Sequence, residues 1–162
     1  MGMTLLLIRH GIAEDPQPGQ RDTGRALTPE GWAKTRAAMR GLVARGFAPT
    51  RGVTSPYRRA CETMACLQEA VGLAFPVEAW EGLAPNGDPG AADLWLRALL
   101  AEARENEVLA LTSHQPFLGD LVFQLTGRSV EVKKASCTVV HWDDGRWTFV
   151  RHFPPAELRS GA

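Results

Sequence analysis

The sequence predicts an α/β domain, a three-layer α/β/α sandwich whose central sheet is mostly parallel with an antiparallel edge. Three observations predict it. Strand-like and helical patterns alternate along most of the chain, the signature of crossover connections and a parallel sheet. The stretches Met3–Ile8 and Glu107–Thr112 are apolar almost without interruption, as strands covered on both faces must be. Near the C-terminal end, Cys137–Trp142 and Arg146–His152 flank Asp143-Asp144-Gly145, a tight-turn signal that reverses the chain and makes one edge antiparallel. With 162 residues, 44% of them hydrophobic, the chain supports one well-buried core, so a single domain over 1–162 is expected.

The elements follow in order. Met3–Ile8 is a central strand. Asp15–Arg25, with two prolines and two glycines, is a loop. Thr28-Pro29-Glu30 then opens a helix: threonine caps, proline suits the first helical position, and glutamate complements the helix dipole. It runs to about Arg45, with Gly46 as its C-cap. Thr50–Thr54 is a short strand, and a helix follows Ser55-Pro56 as far as Val71, closing at Gly72. Phe75–Trp80 is a third strand, followed by the turn-rich EGLAPNGDPG. Ala91–Glu105 reads as an amphipathic helix with Leu94, Ala98 and Ala101 on one side. Glu107–Thr112 ends in Ser113-His114, and a helix follows from Pro116 to Leu125. Trp142 and Trp147 pack across the hairpin, His141 and His152 are structural, and residues from about 157 to 162 are frayed.

Charge and composition exclude several classes. Lys+Arg and Asp+Glu each number 18, so no global field draws nucleic acid or an anionic membrane. No apolar run approaches the roughly 20 residues that span a bilayer, and a secretory leader pattern is lacking. Cys61 and Cys66 lie on different faces of one helical pattern, so the three cysteines read as reduced packing residues of a cytoplasmic protein. None of them begins a C-x5-R loop, since Leu67, Gly72 and Asp143 stand six residues on. No glycine-rich nucleotide loop is present.

In a parallel sheet, ligands bind outside the carboxyl ends of the strands. Arg9-His10-Gly11, Ser55-Pro56-Tyr57-Arg58-Arg59 and Ser113-His114 all fall at such ends. Together they offer two histidines, arginines and hydroxyls with little negative charge, which is an anion site suited to a phosphoryl group. Helix N-termini after Pro56 and Pro116 add N–H groups. Neighbouring arginines also depress a histidine pKa, leaving His10 a lone pair with which to attack phosphorus. Paired carboxylates for a metal hydrolase are missing beside these histidines, so no metal is expected.

The segments LIRHG, LTPEG, SPYRRACET, APNGD and TSHQP, in this order and spacing, resemble the histidine phosphatase (phosphoglycerate mutase-like) superfamily. The resemblance runs from about Met3 to Gly127 and is greatest to the SixA-type phosphohistidine phosphatases. It implies a hydrolase needing no cofactor, with His10 transiently phosphorylated, Arg9 and Arg59 binding the phosphoryl group, His114 stabilising the transition state and Ser55 lining the pocket. Arg59 rather than Arg58 takes this role because it directly precedes Ala60 in the SPxxRA frame, and Thr28 is chiefly structural. Many superfamily members protonate the leaving oxygen with an acid after the third strand. Glu81 and Asp88 are the candidates, although Gly82 occupies the SixA-type carboxylate place. Between Arg59 and His114 there is no room for a folded lid. A poorly placed acid and an open site both favour phosphohistidine on a partner protein over a small phosphomonoester, because imidazole leaves with less acid help than an alkoxide. A small-molecule phosphomonoesterase and a non-catalytic phosphate-binding module are the alternatives.

Overall fold

The computed structural model describes residues 2–160. Its strands are β1 (Met3–Arg9), β2 (Arg51–Thr54), β3 (Val77–Ala79), β4 (Glu107–Ser113), β5 (Cys137–Asp143) and β6 (Arg146–Phe153), in one sheet of order β3-β2-β4-β1-β5-β6. The first four strands are mutually parallel, and β5 and β6 form the expected antiparallel edge. The helices are α1 (Pro29–Ala44), α2 (Arg58–Val71), α3 (Pro89–Leu100), α4 (Phe117–Thr126) and α5 (Pro155–Arg159). No helix among the described residues is long and apolar enough to cross a membrane.

The sequence of β1 explains the three layers. Side chains alternate across a strand, so Leu5 and Leu7 pack with Val53, Leu96, Leu109 and Phe117 toward α3 and α4. Leu6 and Ile8 pack with Met39, Leu42, Met64 and Leu67 toward α1 and α2. Both faces of the strand are therefore apolar, which accounts for the uninterrupted run. Thr28 caps α1 as expected, its hydroxyl accepting from Gly31 N at 2.9 Å. The hairpin turns through Asp144 and Gly145, both at positive φ (50° and 78°), and Trp142 meets Trp147 edge to face at 5.1 Å.

Four expectations need correction. Helix α1 ends in Arg45 at the C-cap, with Gly46 following in the left-handed region (φ 92°). The strand expected over Phe75–Trp80 is reduced to Val77–Ala79, an edge strand paired only with β2. Helix α3 is shifted: it starts at Pro89 with Asp88 as its cap and ends at Leu100 instead of Glu105. Its core face carries Ala92 and Leu96, while Leu94 is 71% exposed and Ala98 and Ala101 face solvent. The segment LWLRALL is apolar on both sides, so spacing alone does not choose a face. The parallel pairing Met3↔Glu107 requires β4 to begin at Glu107, and the chain must leave the helix early to reach it.

The chain end differs most. Residues 157–160 are not frayed, because α5 buries Leu158 completely against α1. Arg45 reinforces the contact, donating to Gly41 O and Glu157 O at 2.9 and 2.8 Å. The fraying expected at 161 and 162 lies outside the described residues. Leu158→Ala removes a fully buried side chain and is expected to cost about 2–5 kcal/mol. In urea unfolding, this would lower the midpoint while leaving the slope unchanged.

Candidate active site

Sheet register gathers the three predicted strand ends. Arg9 pairs with Ser113 across β1 and β4, and Thr54 pairs with Thr112 across β2 and β4. His10, Ser55 and His114 are the next residues along each strand, so they emerge side by side. His10 N donates to Ser113 O at 3.0 Å and Ser55 N to Thr112 O at 2.9 Å. The rings of His10 and His114 stand 5.2 Å apart.

His10 is oriented by its own neighbour. Its Nδ1 lies 2.7 Å from Gly11 O. A carbonyl only accepts, so Nδ1 carries the proton and Nε2 keeps the lone pair. Gly11 must be glycine, because a Cβ there would sit 2.0 Å from Thr35 Oγ1 of α1. Thr63, the last residue of the SPYRRACET segment, accepts from Gly11 N at 3.0 Å and donates to Arg59 O at 2.8 Å. One hydroxyl thereby ties the His10 loop to the first turn of α2. His114 has its Nε2 2.7 Å from Ser55 Oγ, and the ring of Tyr57 lies 5.1 Å from its own.

The two arginines share a pattern. Arg9 donates through Nη1 to Val132 O at 3.0 Å. Arg59, 4% exposed, donates through Nη1 to Asp22 O at 2.9 Å and through Nη2 to Asp22 Oδ2 at 3.2 Å. Both are fixed at the tip and open at Nε. Arg9 Nε, Arg59 Nε and His114 Nδ1 are all buried without a partner. Buried polar atoms left unpaired cost about 1–3 kcal/mol each; the two guanidinium Nε–H groups are donors that a tetrahedral oxyanion would satisfy, and His114 Nδ1 joins them in the tautomer that carries its proton there. Arg58, by contrast, points outward and pairs with Glu62 at 3.2 Å.

Not every predicted residue joins this group. Glu81 is exposed at the start of a 3-10 turn, Glu81–Leu83. Asp88 caps α3, accepting from Gly90 N at 3.0 Å. Neither carboxylate bonds Arg9, His10, Arg59 or His114 among the described contacts. At Gly82 a Cβ would meet the Trp80 ring at 2.3 Å, and that ring stacks on Trp95 at 4.2 Å, so the place is closed to a side chain. Ser113 has a structural task, its hydroxyl bonding Leu83 O at 2.5 Å to hold this turn. Cys61, Cys66 and Cys137 are free, and burial pushes the Cys66 thiol up to about 11.

Three features were not anticipated. The loop before α1 is an ordered cover. Glu14 closes its neck through Ala26, Glu62 holds Leu27 N at 2.7 Å, and the 3-10 turn Asp22–Gly24 reaches Arg59. Arg25 braces it, donating to Asp22 Oδ1 and Glu14 O at 2.8 Å. Tyr57, inside the SPYRR segment, lies under Arg59 at 5.0 Å. The third is the turn before β5, where Ala135 N donates to Arg9 O and His10 O at 3.0 and 3.2 Å. Lys134, exposed on that turn, adds positive field at His10. The Val-Lys-Lys stretch was its only visible sign.

Electrostatics keeps both imidazoles neutral. Burial, then the charges of Arg59, Arg9 and Lys134, lowers His10 to about 4 against the opposing bond to Gly11. Burial, then His10 and Arg59, lowers His114 to about 3. The arginines act in the expected direction, but loss of water is the larger cause. Asp22 stays ionised: against the raising effect of burial, Arg25 and Arg59 hold its carboxyl below the ordinary range.

Comparison with known proteins follows this geometry. The family model described as histidine phosphatase superfamily (branch 1) matches residues 5–85. An uncharacterized protein of Picosynechococcus sp. is 36% identical over 137 residues, covering 82% of this chain and 81% of its own. The phosphohistidine phosphatase SixA of Escherichia coli is 27% identical over 160 residues, covering 97% of each chain. A structure of the protein histidine phosphatase SixA complexed with tungstate matches with TM-score 0.86 at 27% identity, covering 96% of this chain and 99% of that one. A phosphoglycerate mutase from Bacillus anthracis matches at TM-score 0.76 and 14% identity, covering 99% and 96%, and shares the fold.

Two outcomes follow from the charges. Unfolding returns both histidines to a pKa near 6.5, above their folded values of about 4 and about 3. The unfolded chain thus binds more protons between these limits, and stability is expected to fall as pH drops from about 6.5 toward 4. Denaturant titrations across that window check it, and the loss should shrink in His10→Gln. Asp22→Asn keeps the backbone carbonyl that anchors Arg59 but removes a negative charge beside the anion site. If the candidate site binds phosphate as its donors suggest, the change is expected to tighten inorganic phosphate about fivefold at low salt, and less at high salt, as read by calorimetry.

Proposed function

The chain belongs to the histidine phosphatase superfamily and is a phosphatase, and from that premise we propose that it removes the phosphoryl group from phosphohistidine on a partner protein by way of a transient phosphate on His10. The observation that carries this is the set of buried, unpartnered polar atoms, Arg9 Nε, Arg59 Nε and His114 Nδ1, beside a histidine whose lone pair is forced onto Nε2. The tungstate of the related SixA complex, a tetrahedral oxyanion, supports a phosphoryl-sized ligand for such a site.

The reaction has two steps. His10 Nε2 attacks phosphorus in line as the bond to the substrate nitrogen breaks. The departing imidazole keeps that electron pair and takes its proton from solvent. Arg9, Arg59 and His114 neutralise charge on the equatorial oxygens, while Gly11 O faces the imidazolium that forms on His10. Water then attacks the phosphohistidine, releasing inorganic phosphate and restoring the neutral ring. The exposed Glu81 and the capping role of Asp88 support a P–N over a P–O substrate, because an alkoxide would need a positioned acid. Free cysteines, two of them buried, fit a reducing cytoplasmic setting.

The deciding experiment is incubation with a phosphohistidine-bearing protein and, separately, with small phosphomonoesters. The expected outcome is preference for the protein, acid-labile phosphate trapped on the enzyme, and loss of both trapping and turnover in His10→Ala. Glu81→Gln and Asp88→Asn should leave turnover within about threefold, well short of the 10²–10⁴ of a working general acid. Preference for phosphomonoesters with a sharp loss in either variant would establish the alternative substrate. Phosphate binding without turnover would establish a binding module.

A further inference from the structure

We propose that Ser55 is a positioning residue that fixes the proton of His114 on Nδ1, setting which face of that ring meets the phosphoryl group. The inference rests on the phosphatase reading only in assigning His114 Nδ1 to the substrate.

Ser55 is fully buried and its backbone leaves it little freedom. Its N–H donates to Thr112 O, and its carbonyl accepts from Thr54 Oγ1 at 2.9 Å and Cys61 Sγ at 3.4 Å. Thr54 Oγ1 is held in turn by Thr112 Oγ1 at 2.7 Å. With the main chain seated in this way, Ser55 Oγ makes two contacts. Tyr57 N donates to it at 3.2 Å, and His114 Nε2 lies 2.7 Å away.

Those two contacts settle the direction of the second bond. A hydroxyl has one hydrogen to give. The Tyr57 amide can only donate, so it already fills an acceptor place on Oγ. If His114 donated from Nε2 as well, the serine hydrogen would be left in a buried place with no acceptor, an arrangement that buried polar groups avoid. Donation from Ser55 Oγ to Nε2 leaves nothing unpaired at this end. His114 is neutral, held low chiefly by burial, so its single hydrogen then sits on Nδ1. That atom is buried and has no protein partner.

The consequence is chemical. With the proton on Nδ1, His114 offers a donor to the equatorial oxygens. With the opposite tautomer it would turn a lone pair toward a dianion. His10 and His114 thus carry complementary faces: a carbonyl gives the first a lone pair on Nε2, and a hydroxyl gives the second an N–H on Nδ1. In this role Ser55 acts through His114, in addition to the place in the pocket lining expected of it.

The test reads the proton directly. Long-range ¹H–¹⁵N spectra of the imidazoles locate each hydrogen, and His114→Gln identifies the His114 signals among the four histidines. The wild-type protein is expected to carry the hydrogen on Nδ1. In Ser55→Ala it should populate Nε2, and kcat/KM toward p-nitrophenyl phosphate should fall about tenfold to a hundredfold, short of the 10²–10³ for deleting a transition-state donor outright. A hydrogen on Nε2 in the wild type overturns the proposal, and so does a Ser55→Ala protein that retains it on Nδ1, whatever its activity. If Ser55→Ala does not fold, the wild-type spectrum decides alone. If the wild type turns over no phosphorylated probe, the phosphatase reading fails while the spectrum still decides the tautomer.

Discussion

Everything at this site depends on one short contact, the bond from His10 Nδ1 to the carbonyl of the next residue, Gly11. It removes the ambiguity of a neutral imidazole and aims a lone pair away from the backbone. The bond survives only because the Gly11 peptide is itself immobile. Its amide is held by Thr63, and the absence of a side chain lets α1 close to within 2.0 Å of where a Cβ would stand. Thr63 then bonds back to Arg59 O. A change in the seat of α1 or α2 would therefore reach His10 and Arg59 together.

The second constraint is that positive charge and neutral imidazole must coexist. Burial alone would make guanidinium groups costly, and proteins usually answer by pairing them fully. Here each arginine is paired only at its tip, Arg9 by Val132 O and Arg59 by Asp22. The unpaired Nε–H groups are a standing cost of the fold. Binding of the proposed oxyanion would recover that cost, with no side chain left to reorient.

Most of the architecture was legible because its signals are local. Continuous apolar runs marked β1 and β4, Asp144-Gly145 marked the hairpin, and Thr28-Pro29 marked the start of α1. The strand-end residues met because parallel register follows from topology. What stayed hidden depends on contacts distant in sequence. Leu94 and Leu96 both sit in an apolar helix, and only the neighbouring sheet decides which is buried. Leu158 is held by Arg45 and Gly41, more than a hundred residues away. Asp22 looked like one polar loop residue among several, and nothing nearby in the chain announces that it faces Arg59.

That carboxylate changes how openness should be understood. The interval between Arg59 and His114 holds the rest of α2, β3, a 3-10 turn, α3 and β4, leaving no lid on that side. The cover comes instead from the loop before α1, and it is a charged one. A lid over a small metabolite excludes water and closes on apolar surface. A half-exposed aspartate braced by Arg25 does neither. It sets a half-exposed charge beside Arg59 at 3.2 Å, which suits the proposed leaving group that collects its proton from solvent. An alkoxide in the same mouth would depart as a strong base, with Glu81 turned to solvent and the Gly82 place filled by Trp80. The charged cover and the distant carboxylates therefore support the same proposed bond, phosphorus to nitrogen.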